Sequence, residues 1–109
     1  MNEKDKLLIK LKKYKKEDII FTKHAEEQAI FRGISFNEIR ENIINPKRLY
    51  YAARQEAEKV GEEKYDCYFG YSKTQCHRYV LVLNKNCIVC TVIKINRRWQ
   101  RITEKCAKI

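Results

Sequence analysis

The pattern of apolar and polar residues changes period midway along the chain. In the first half, apolar positions recur at helical spacing. Leu7, Leu8, Leu11 and Tyr14 fall on one face of a helix predicted over Asp5–Tyr14, with Lys6, Lys10, Lys12 and Lys13 largely on the rest. Ile19–Phe21 is a brief apolar run, read as a strand or a docking segment. Thr22 is suited to N-cap a helix over Lys23–Arg32, and Gly33 stands where a helix-ending glycine belongs. Ser35-Phe36-Asn37-Glu38 has capping-box spacing. It opens a second helix that runs through Ile39 and Ile43 to about Asn45, where Pro46 stops it. Residues 22–45 therefore read as a helical hairpin.

The second half reads as strands. Arg48–Ala53 is a candidate strand, and the polar stretch Gln55–Glu63 a loop. Lys64–Tyr71 alternates, with Tyr65, Cys67, Phe69 and Tyr71 on one face and Asp66, Tyr68 and Gly70 on the other. Ser72–His77 is read as a loop. Arg78–Leu83 and Cys87–Ile95 are apolar on both faces, as central strands are, and Asn84-Lys85-Asn86 is a short hairpin turn between them. Asn96–Lys105 is basic and is expected as a terminal helix or an edge segment. The predicted fold class is α+β, with N-terminal helices, including the hairpin at 22–45, packed on a three- to four-stranded antiparallel sheet. The lysine-rich residues 1–18 are expected as a helical extension before a single domain over 19–109.

Charge adds a class of partner. The 109 residues carry 24 basic and 14 acidic side chains, a formal net charge of +10. The excess lies mainly at the two ends of the chain, over residues 1–23 and 94–109. Such a balance favours polyanions, because neutralising phosphates releases condensed counterions. It is also compatible with a merely soluble, lysine-rich surface. Five cysteines, an odd number, with no signal-like apolar run before them, suggest free thiols in a cytoplasmic protein. No stretch approaches the roughly 18 apolar residues of a membrane span.

Three residues stand out for chemistry. His24 and Arg32 are eight apart, about 12 Å of helical rise and roughly 80° of turn, with Gln28 between them. A histidine beside an arginine can shuttle a proton while the arginine clamps a phosphate. The same pair also serves as an ordinary surface histidine and an arginine that meets nearby acids. Lys94 closes the apolar strand Cys87–Ile95, where alternation gives it Ile88, Cys90 and Val92 as neighbours. It either reaches solvent or points into a cleft between sheet and helices. Arg97, Arg98 and Arg101 surround Trp99, a mixture suited to phosphate contact with base stacking or to a basic tail docked through its tryptophan. Cys87 and Cys90 have C-x-x-C spacing but point to opposite faces of a strand, so they read as small core residues and no metal is expected. No glycine-rich phosphate loop or other cofactor motif is present.

Phe21-Thr22-Lys23-His24-Ala25, Arg32-Gly33-Ile34-Ser35 and Pro46 resemble the opening of the small domain-of-unknown-function family 4258. Arg78-Tyr79-Val80-Leu81-Val82 and Cys90-Thr91-Val92-Ile93-Lys94 resemble its last two strands. The likeness covers roughly residues 19–99. That family is similar to the RelE and BrnT toxins of toxin–antitoxin pairs. The resemblance implies a compact RelE-like sheet with N-terminal helices and metal-independent RNA cleavage. It implies His24, Arg32 and Lys94 as active residues, supported by Arg78 and Arg97. In such a reaction a 2′-OH attacks the adjacent phosphate, a base takes its proton, and cations stabilise the charge that builds up. The expected function is thus a toxin-like endoribonuclease without cofactors, with Arg78, Arg97, Arg98, Trp99 and Arg101 holding RNA. The alternatives are a non-catalytic RNA- or DNA-binding module and a protein-interaction domain that meets an acidic, antitoxin-like partner.

Overall fold

The computed structural model describes residues 2–70 and 74–96. Its elements run α1 (Glu3–Leu11), β1 (Ile19–Phe21), α2 (Lys23–Phe31), α3 (Phe36–Ile44), β2 (Leu49–Gln55), β3 (Glu63–Gly70), β4 (Gln75–Leu83) and β5 (Cys87–Asn96), with a 3₁₀ turn at Lys16–Asp18. The class is α+β. Among the described residues no helix is long and apolar enough to cross a membrane.

Local chemistry sets the helix ends. The Asn2 side chain accepts from the Asp5 amide at 2.8 Å, which starts α1 earlier than apolar spacing alone suggests. Thr22 caps α2 by accepting from the Ala25 amide at 3.1 Å, and Ser35 caps α3 by accepting from the Glu38 amide at 3.4 Å. Between them the chain turns at Gly33, whose φ of +66° favours a residue without a Cβ. The two helices follow each other as expected, but α2 packs chiefly against β5 while α3 meets the 3₁₀ turn. Each is held by the common core more than by a seam with the other.

Among the described residues the sheet has five strands in the order β1-β5-β4-β3-β2, and this corrects the expected three- to four-stranded antiparallel sheet. The added strand is β1, which pairs parallel with the start of β5 through Ile19↔Cys87, Ile20↔Ile88 and Phe21↔Val89. Three residues are too few to show a period, and the partner is far away in sequence. Strand β4 also begins earlier than expected, at Gln75, so Gln75–His77 belongs to the sheet and not to a loop. Polar Gln75 and His77 conceal the alternation there.

A register shift in the β4–β5 ladder decides which face Lys94 shares. Val80 pairs with Thr91 but Leu81 pairs with Val89, so Cys90 is the extra residue of a β-bulge. Val89 and Val92 consequently both face the core, each fully buried. Lys94 therefore shares the face of Val92, not that of Ile88 and Cys90. That face carries the core: Tyr65, Cys67 and Phe69 from β3 and Tyr79, Leu81 and Leu83 from β4. Against it lie Leu7 and Leu11 of α1, Ala25 and Ala29 of α2, and Ile39 and Ile43 of α3. Tyr14 joins the same core, so the lysine-rich start is packed onto the sheet.

Among the described residues no strand continues beyond Phe21 along this edge of β5, and α2 takes over. The Thr22 amide donates to Val89 O at 3.0 Å, and the Val92 amide donates to Gln28 Oε1 at 2.9 Å. An unpaired buried amide costs about 1–3 kcal/mol. Gln28→Ala is therefore expected to lower stability in urea by about that amount and to speed hydrogen exchange at Val92. An unchanged exchange rate at Val92 would count against this anchor.

Candidate nucleic-acid interface

One row of paired residues crosses the sheet near its end: Leu49↔Phe69↔His77↔Lys94. The next row outward is Gly70↔Cys76↔Ile95, and the Gly70 amide donates to Arg48 O at 2.9 Å. The antiparallel register thus places Arg48, His77 and Lys94, from three different strands or their flanks, at one end of the molecule.

His77 is the centre of this end. Only 1% of its surface is exposed. Its Nδ1 lies 2.8 Å from the Tyr79 hydroxyl, and that hydroxyl accepts from Asn42 Nδ2 at 3.0 Å. The imidazole is held neutral by its surroundings. Burial pushes its pKa down to about 4, helped by the positive charges of Lys94 and Arg48. Asn42 carries the chain outward to a groove of about 510 Å³ lined by Glu38, Glu41, Asn42, Asn45, Lys47 and Arg48.

The residues singled out by sequence are distributed as follows. Lys94 lies in this cationic row. Arg32 ends α2, half-buried, with its guanidinium 5.9 Å from the centre of the Phe31 ring. His24 is exposed on the first turn of α2, one turn before the Gln28 anchor. Among the described residues no hydrogen bond or ion pair joins His24, Arg32 and Lys94. Arg78 binds Asp66 through two hydrogen bonds of 2.7 Å and lies 5.7 Å from the Tyr68 ring centre. Its planar guanidinium is matched to that buried carboxylate. Arg97, Arg98, Trp99 and Arg101 lie outside the described residues. Cys67, Cys76 and Cys87 are buried, and burial pushes the Cys87 thiol up to about 12. No group of three or more His, Cys, Asp or Glu side chains suited to a metal occurs among the described residues.

Sequence reading missed His77, Tyr79, Asn42 and Arg48. One signal was available, since the alternation Leu83, Leu81, Tyr79 runs back to His77 without a break. Asn42 and Arg48 had none, because only cross-strand register and helix docking bring them there. The chain matches no family model, no curated protein and no solved structure.

The folded protein keeps His77 neutral down to about pH 4, whereas an unfolded histidine takes up its proton near 6.5. Between these values the unfolded state binds more protons, so stability falls as pH falls. The loss is expected to reach about 2–3 kcal/mol. Chemical denaturation across this window checks it: His77→Gln should flatten the slope, and an identical slope in that variant would contradict the assignment.

Proposed function

We propose that the protein binds single-stranded RNA with the cationic end of its sheet. The observation that carries this reading is the strand register that brings Arg48 and Lys94, two cations from opposite sides of the sheet, to the row of His77. Lys47 stands beside Arg48 in the groove next to Asn42, which Glu38 and Glu41 also line. In sequence, Arg97, Arg98, Trp99 and Arg101 follow directly after β5. Clustered cations suit phosphates, and the net charge of +10 favours association with any polyanion. The helices packed over one sheet accord with a RelE-like fold, which we propose on that ground and on the sequence likeness.

The toxin-like, metal-independent endoribonuclease is the second reading, with His24, Arg32 and Lys94 as its active residues. It needs a proton carrier near the phosphate that Lys94 would hold. His77 is buried and engaged by Tyr79, so it favours binding over cleavage. His24 is accessible and is the histidine through which cleavage would run. An acidic, antitoxin-like protein would compete for the same cationic end.

Fluorescence anisotropy with a labelled single-stranded RNA tests the reading. Affinity should fall steeply with salt, and each of Arg48→Ala and Lys94→Ala should lower the slope of log K against log salt by about 0.7. No binding at low salt, or slopes unaltered in both variants, would overturn it. Gel analysis of the same mixtures in EDTA decides between the two forms: RNA stays intact if the protein only binds. Fragments that disappear in His24→Ala would establish cleavage.

A further inference from the structure

A second groove, of about 340 Å³, opens beside β1 at the far end of β5 from Lys94. It is lined by Ile19, Ile20, Phe21, Glu26, Phe36 and Arg40. Phe21 and Phe36 meet with ring centres 5.1 Å apart and planes inclined at 49°. The Arg40 guanidinium carbon lies 4.9 Å from the centre of the Phe21 ring. Both phenylalanines are half-buried, so each packs on the core and still borders the groove, while Ile20 is 45% exposed. The groove therefore combines two aromatic rings, a planar cation close to one of them and one carboxylate.

We propose that this groove is a guanine-binding subsite for the RNA strand held at the cationic end. The inference rests on the RNA-binding reading. Single-stranded RNA is read by stacking unpaired bases on aromatic rings or arginine planes and by hydrogen bonds to their edges. A carboxylate offers acceptors only. Guanine presents two adjacent donors on its Watson–Crick edge, N1–H and the N2 amino group, and these match the two oxygens of Glu26. Adenine and cytosine present one donor beside an acceptor that a carboxylate repels, and uracil places its single N–H between two carbonyls. Guanine is the base that the groove's chemistry selects. An added peptide strand fits less well, because β1 offers only three residues of edge. From Val89 to Lys94 is about 15 Å along the strand, a gap that a short single strand can bridge.

The test is anisotropy on the full chain with labelled nine-nucleotide RNAs, oligouridine with a central G, A, C or U. The G-containing strand should bind about tenfold more tightly than the other three. Glu26→Gln, an exposed change on the first turn of α2, should bring G to the level of the others while shifting those three by less than about twofold. Free GMP should compete far less strongly than the G-containing strand, because it lacks contacts at the cationic end. Four equal affinities, or an equal effect of Glu26→Gln on all four strands, would overturn the subsite and leave RNA binding standing. GMP competing as well as the strand would overturn it in favour of a mononucleotide site. Failure of every strand to bind would overturn the RNA reading itself and the subsite with it.

Discussion

Val92 gives its amide to the side chain of Gln28 because β1 is too short to reach it. That bond, with the Thr22 amide on Val89, ties α2 to the edge of β5 where the parallel pairing stops. Strand β5 is in consequence the element around which the molecule is organised. It carries β1 on one side, β4 on the other and α2 above, and Lys94 lies near its end. A single extra residue at Cys90 fixes which side chains of its second half face the core. Without the bulge, Val92 and Lys94 would turn outward, since a one-residue slip reverses every side chain that follows.

The same bulge links fold to charge. By placing Lys94 on the core face beside His77, it brings an ammonium group next to a buried imidazole. Such a histidine stays neutral because both burial and its cationic neighbours oppose a second positive charge. Tyr79 bonds to its Nδ1 and Asn42 bonds to Tyr79, so one polar chain ties α3 to β4 at this end. Networks of this kind hold a unique arrangement when their members are satisfied. The cations around it are thereby set on a rigid frame. The opposite end differs: there Lys10 and Arg54 both pair with Glu63.

What could be read from the sequence follows the range of the interactions. Thr22, Gly33, Ser35 and Pro46 mark helix ends through bonds spanning three or four residues, and those ends are found where expected. The hairpin at Asn84-Lys85-Asn86 is equally local. Ile19–Phe21 reads as a strand or a docking segment, but its partner lies more than sixty residues away, so neither its place in the sheet nor its parallel sense was legible. Polar residues hid the start of β4, and the bulge at Cys90 hid the face of Lys94. The site suffered most. Lys94 was visible as a lone charge at a strand end. The alternation of β4 points to His77, but its closeness to Lys94 and Arg48 emerges only once the register of the strands is known. Arg78, expected to hold nucleic acid, proves to be matched to Asp66, a partner on the neighbouring strand that spacing could not supply.

The central claim is that function resides at the Arg48–His77–Lys94 end of the sheet. Backbone amide shifts in a two-dimensional NMR titration with single-stranded RNA test it most directly. We expect the largest changes at Arg48, Gly70, Cys76, His77 and Lys94, with little at Lys10, Lys13, Arg54 and Lys85. Changes concentrated on those four residues, with the His77 row unmoved, would contradict it.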